Sequence, residues 1–314
     1  MINNLLKKIN NKFLSSNNYE FYDNAIIFDS NNEKYVIKNN NGAILGIYNY
    51  LNSRGFDYIP NILDSDNDSY LYKYEYDYKI PEEQRAKDLI KLLALLHNKT
   101  VYYKDVSIDE FKEIYEKLSY QIDNTYKYYE DVISMIENTI YPSPAEYMLE
   151  RNISTIFNCL DFSKQTLEGW YEIVSNSLKK REVLIHNNID INNLIINDKK
   201  TLISFDNAKR DLCIYDFIKF FKENYNKYDF NELYNEYIKK FPLLKEEKLL
   251  FYTLLFIPKK IYFDKNEIKA LKNVTDLCNY LYKANGLFME NEAKNTKKQD
   301  HEINKKQENM KPST

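Results

Sequence analysis

The hydrophobic pattern of this chain changes period once, near residue 80, and reverts once, near residue 183. Before residue 80 the segments NAIIFDS and EKYVIKN read as two strands joined by the polar turn DSNNEK, and SYLYKYEYDY alternates like a third. Residues 1–15 read as a short amphipathic helix. AILGIYNYLNSRGF places Ile44, Ile47, Tyr48 and Leu51 on one helical face, with Gly55 at the stop position. From Pro81 the period is helical. Leu89, Leu92, Leu93 and Leu96 form one stripe, Ser107-x-x-Glu110 reads as a capping box, and Ser143, Pro144 and Glu146 mark another helix start. The reversion is VLIHNNIDINNLIINDKKTLISFDNA, residues 183–208: an apolar run, a histidine, a loop rich in asparagine, and a hairpin. Helices follow to about residue 288. From Asn291 the chain has almost no apolar residues and reads as a disordered tail. The expected organisation is a strand-rich unit over 1–80, a helical unit over 81–290 holding one hairpin, and a tail over 291–314.

Composition excludes several classes of function. With 44 basic and 47 acidic residues the net charge is −3, and no dense basic patch lies outside the tail, so nucleic acid is not an expected partner. The longest apolar run, LLFYTLLFI, is too short to span a bilayer, and the N-terminus has no signal-peptide pattern. Membrane insertion is therefore not expected, and a soluble intracellular protein is. Cys159, Cys213 and Cys278 are widely spaced and read as free thiols. Thirty tyrosines and five glycines accompany an excess of Asn, Lys and Ile, a bias that an AT-rich genome produces by itself.

The residues with chemical potential fall in a fixed order. Lys38 closes a strand in KYVIK, a helix ends in LLALLH at His97, and IHNNIDINNLII, LISFDNA and IYDF come far downstream. This order resembles the aminoglycoside phosphotransferase and choline kinase-like branch of the protein kinase fold. Within that branch it is most similar to the spore-coat protein S family, which YPSPAEYMLERNIS and FYTLLFIPKKIYF also resemble. The likeness covers residues 20 to about 285 and implies an α+β, two-lobed kinase-like fold with a small strand-rich N-lobe and a large helical C-lobe.

The resemblance also assigns roles. The family's catalytic loop, His-x-Asp-x-x-x-x-Asn, matches His186 through Asn193, with Asn188 where the family has its aspartate. That carboxylate orients the substrate hydroxyl and accepts its proton. An amide cannot, and losing a general base costs about 10²- to 10⁴-fold. Asp190, two residues on, reads either as a solvated loop residue or as a replacement base. Asn193 reads as a ligand for Mg²⁺ and nucleotide or as a cap of the loop. The family's metal-binding aspartate falls on Ser204 when the motif is anchored on Asp216, the expected loop-bracing aspartate. Anchoring on Asn193 offers Asp206 instead, and the downstream anchor is preferred because hairpin turns vary in length. Lys38 matches the lysine that contacts nucleotide phosphates, but Asn49 stands about where its partner glutamate is expected. His186 is expected to brace the loop and His97 to pack against the core, while His301 lies in the tail.

These departures imply a pseudokinase with a structural or scaffolding role in the spore coat, made in the cytoplasm and associating with other spore-coat proteins. No cofactor is required by that reading. Two alternatives stay open: a phosphotransferase using ATP and Mg²⁺ on a small-molecule or protein hydroxyl through a rearranged site, and a non-catalytic nucleotide-binding switch. Modification of a cationic antibiotic is disfavoured, because the acidic residues of the helical region are interleaved with lysine.

Overall fold

The computed structural model describes residues 2–13, 16–22, 24–39, 44–66, 68–263 and 265–308. In chain order the elements begin with helix α1 (Ile2–Lys12), strands β1 (Asn17–Phe21), β2 (Ala25–Ser30) and β3 (Glu33–Asn39), helix α2 (Ile44–Ser53), and strands β4 (Ile62–Ser65) and β5 (Ser69–Lys73). Helix α3 (Glu82–Lys99), strand β6 (Tyr102–Asp105), and the long helices α4 (Ile108–Glu137) and α5 (Pro144–Val174) follow. Strands β7 (Lys179–Ile185), β8 (Leu194–Ile196), β9 (Lys200–Leu202) and β10 (Lys209–Asp211) then precede helices α6 (Ile214–Asn224), α7 (Phe230–Lys240), α8 (Lys245–Phe256) and α9 (Glu267–Glu308). Among the described residues no helix is long and apolar enough to cross a membrane.

The chain forms two compact units. Met1–Tyr102, Arg181–Phe217 and Lys239–Phe241 make the first, and Tyr103–Lys180, Ile218–Ile238 and Pro242–Thr314 the second. This division differs from a boundary at residue 80: α3 and the hairpin region belong with the strand-rich unit. The terminal stretch also differs from expectation. It is helical through Glu308, and residues 309–314 lie outside the described residues. Between Gly286 and Pro312 there is no Gly or Pro to stop a helix begun on a buried apolar face.

In the first unit a five-stranded antiparallel sheet has the order β1-β2-β3-β5-β4. The β2–β3 turn contains no glycine, but Asn31 and Asn32 both take positive φ, 52° and 63°, as a two-residue hairpin turn of matching twist requires. Pleating then sorts the side chains. Ile37 pairs with Leu71 and Lys38 with Tyr70 across β3 and β5, so neighbours in sequence point to opposite faces. One face holds Ile26, Phe28, Ile37 and Leu71 in a core cluster with Leu5 and Ile9 of α1. Each such burial contributes about 1.5–3 kcal/mol. The opposite face carries Lys38, Tyr70 and Tyr72. Helix α2 ends at Gly55, where φ is +66° and Phe56 N–H reaches back to Leu51 O at 3.0 Å.

In the second unit α5 packs against α4, α8 and α9. Ser143 caps α5 at the expected start and forms a capping box, accepting from Glu146 N–H while Glu146 accepts from Ser143 N–H. The same motif at Ser107 starts α4 without forming the box, because the Glu110 carboxylate binds Lys104 Nζ at 2.9 Å instead.

Candidate functional site

The loop from β7 into the hairpin is built around Asp216, at the start of α6 and 1% exposed. Its carboxylate accepts the backbone N–H groups of His186 and Asn187, each at 2.7 Å, and the His97 Nε2 lies 3.2 Å from Oδ2. Asn187, at φ 58°, is held in the left-handed region by this arrangement. His186 is fully buried, donates Nε2–H to Ile203 O at 2.8 Å, and meets the Phe205 ring edge-on at 4.6 Å. Burial lowers its pKa, with the nearby Asp216 charge working in the opposite direction. Its chemistry is that of a neutral strut. Asp216 thus binds the backbone at the start of the loop, and His186 ties that start to the Ile203 carbonyl. The role of His97 is larger than core packing, since it joins the same carboxylate.

Past the histidine, the loop uses its own polar groups. Asp190 accepts Asn192 N–H at 2.7 Å, capping the 3-10 turn over Ile191–Asn193. Asn193 donates its side-chain N–H to Asn188 O at 2.8 Å, and its own carbonyl accepts Ile203 N–H at 2.9 Å. Asn188 and Asn193 are thus brought together, with the Asn193 amide acting as a cap across the loop.

Lys38, Ser204 and Asp206 form the second half of the site. Lys38 is 6% exposed, forms an ion pair with Asp206, and donates to Ser204 Oγ at 3.4 Å. Both positions offered by the two anchorings of the motif therefore face the same lysine. Ser204 adopts φ 68°, ψ 46°. A left-handed non-glycine residue costs roughly 1–2 kcal/mol and persists where the surroundings fix it. The Tyr70 hydroxyl donates to Asp206 Oδ1 at 3.4 Å. Tyr48, Tyr70 and Phe205 pack edge to face around these groups. Burial, reinforced by the Asp206 charge, raises the pKa of Tyr48, Tyr70 and Tyr72, so all three stay protonated. Asn49 is exposed on α2, and Tyr48 is the residue of this helix that packs against Tyr70 and Phe205.

Arg85 is a residue that sequence reasoning missed. It is 9% exposed and lies on α3. Its guanidinium donates to the carbonyls of Leu194 and Ile191 and pairs with Asp77. Asp77 in turn accepts Ile196 N–H at 2.8 Å, and Tyr78 N–H reaches Ile196 O at 2.7 Å. The segment after β5 is thus tied to the hairpin. The available signal was a charged residue one turn before the leucine stripe, at a position that the helical period buries.

No family profile matches the chain, and no curated protein sequence matches it. Solved structures do. An aminoglycoside phosphotransferase from Alicyclobacillus acidocaldarius subsp. acidocaldarius DSM 446 is 12% identical, with a TM-score of 0.62 over 91% of this chain and 96% of that one. The AMP-bound spectinomycin phosphotransferase APH(9)-Ia is 15% identical, with a TM-score of 0.53 over 90% and 97% of the two chains. The chain therefore has the kinase-like fold of the aminoglycoside phosphotransferases, with a strand-rich N-terminal sheet and a large helical C-terminal region.

Proposed function

We propose that this protein is a pseudokinase: a phosphotransferase frame with little or no phosphotransfer activity, serving a structural or scaffolding role. The observation that carries the reading is the condition of the loop. Asp216 holds its backbone in place, while the proton-accepting position is the amide Asn188 and the neighbouring carboxylate, Asp190, caps a turn. Assignment to the spore coat, with other coat proteins as partners, rests on the sequence likeness to the spore-coat protein S family. The test is transfer of radiolabelled γ-phosphate from ATP to small alcohols and to coat extracts. No turnover above buffer is expected, and turnover abolished by Asp190→Ala would sink the proposal.

A second reading has one observation in its favour. Mg²⁺ at nucleotide sites is held by one or two carboxylates plus phosphate oxygens. Asp206, with the Ser204 hydroxyl, supplies one carboxylate and one neutral oxygen beside Lys38. When bound, the metal would neutralise phosphate charge, and Lys38 would exchange Asp206 for a phosphate oxygen. This donor set supports nucleotide binding without requiring turnover. A Mg²⁺-dependent thermal shift with ATP, in the absence of transfer, would favour a nucleotide-binding switch over a purely structural part.

A further inference from the structure

We propose that the helical unit contains a second binding site, separate from the Lys38 site, for a small organic anion carrying an apolar body. The site is a cavity of about 550 Å³ lined by the segment after α8, by α6 and by α9. Three lysines line it, Lys222, Lys259 and Lys260, against a single carboxylate, that of Asp276. Among the described residues Lys222 has no ion-pair or hydrogen-bond partner. Apolar surface comes from Ile257, Ile261 and Leu277. Positive charge above an apolar floor is the pattern that holds a phosphate or carboxylate on a hydrophobic group. The same charge repels the polycationic substrates that an acidic pocket would take.

The cavity is held open by tyrosine hydroxyls bonded to backbone. Tyr129 donates to Lys259 O at 2.6 Å, Tyr128 to Ile261 O, Tyr225 to Asp276 O at 2.9 Å, and Tyr280 to Leu255 O at 2.6 Å. Lys260 also lies over the Tyr128 ring, 5.2 Å from its centroid. The segment IPKKIY is therefore fixed in place before any ligand arrives, which lowers the entropic cost of binding. Lys222 keeps solvent exposure overall, yet the protein packed around its ammonium lowers its pKa to about 8. An arriving anion would reverse that shift, so binding should take up protons as pH rises toward 8 and weaken above it.

The probes are phenyl phosphate and inorganic phosphate, titrated into the full chain by calorimetry. Phenyl phosphate should bind more tightly than inorganic phosphate, and more tightly at pH 7 than at pH 9. Lys222→Met should weaken it about tenfold, the size of one lost charge-assisted hydrogen bond. Lys222→Arg keeps the charge and should bind as tightly at pH 9 as at pH 7, whereas the wild type weakens by up to about tenfold. Circular dichroism of each variant separates loss of binding from loss of fold. If Lys222→Met is misfolded, the pH dependence of the wild type and of Lys222→Arg decides. No heat with phenyl phosphate, or equal affinity in a folded Lys222→Met, overturns the proposal. Equal affinity for the two probes overturns the apolar half of the assignment.

Discussion

Replacing Asp216 by alanine should release the loop that carries the candidate chemistry. Three donors converge on this carboxylate: two backbone N–H groups at 2.7 Å and the His97 imidazole at 3.2 Å. A hydrogen bond to a charged group contributes about 1.5–3 kcal/mol, and a buried donor left without an acceptor costs about 1–3 kcal/mol. Water entering the alanine cavity would satisfy part of this, leaving a net loss of about 3–5 kcal/mol, the range found on breaking buried charged networks. Asp216→Asn should cost less, about 2–3 kcal/mol, because one carbonyl oxygen still accepts while the NH₂ opposes a donor. A chain of two compact units need not unfold in one step, so a global melting curve is a poor measure. Hydrogen exchange at the amides of residues 186 and 187 reads the loop directly. Protection there should fall by roughly two orders of magnitude in Asp216→Ala. Protection within threefold of wild type would refute the view that this carboxylate holds the loop.

Three further outcomes follow from the same geometry. The folded-state pKa of His186 is lowered, so its neutral burial stabilises the protein fully above about pH 6.5, and that stability is lost as pH falls below 6.5 toward the folded value. Stability should therefore decline as pH falls below about 6.5, less steeply in His186→Gln, as chemical denaturation at each pH would show. Arg85→Ala should destabilise by about 2–3 kcal/mol, because the partly exposed Asp77 loses its cation and the carbonyls of Ile191, Leu194 and Tyr78 lose a donor. An unchanged urea midpoint would contradict the bracing role. Gly46→Ala should stabilise α2 by about 0.5–1 kcal/mol, since a Cβ there meets nothing within 4 Å and the position is helical; faster hydrogen exchange along α2 would count against this.

The legible parts of the fold were those written in short-range patterns. The β2 and β3 strands, the Gly55 stop, the leucine stripe of α3 and the Ser143 box all follow from residues a few positions apart. Strands β1 and β4 were not legible: β1 is largely exposed and β4 is short, so both owe their structure to pairing with a neighbour. The failed box at Ser107 has the same cause, because Lys104 competes for Glu110. In the site, motif order located Lys38, His186 and Asp216, but not their partners. No local rule says that Asp206 should turn to a lysine 168 positions away, that His97 should share Asp216, or that Tyr48 rather than Asn49 should pack against Tyr70. Register assigns a motif to one residue, Ser204 or Asp206, whereas the folded chain brings both to the lysine.

That shared lysine permits a stringent test of the proposal that this phosphotransferase frame carries out little or no phosphotransfer. Ser204 already occupies a left-handed conformation that aspartate tolerates better than most residues, so Ser204→Asp fits the backbone without new strain. It would place a second carboxylate beside Lys38 and Asp206, giving Mg²⁺ the two carboxylates common at nucleotide sites. Asn188→Asp would restore a proton acceptor without altering the bond that Asn193 makes to the Asn188 backbone carbonyl. If two side chains carry the loss, Ser204→Asp should create or strengthen a Mg²⁺-dependent thermal shift with ATP. The double variant should then add turnover, with the base contributing about 10²- to 10⁴-fold. If both variants fold and neither responds to ATP and Mg²⁺, the loss extends beyond these positions. The packed rings of Tyr48, Tyr70 and Phe205 would then be the next cause to examine, since the Tyr70 hydroxyl already binds the Asp206 carboxylate that pairs with Lys38.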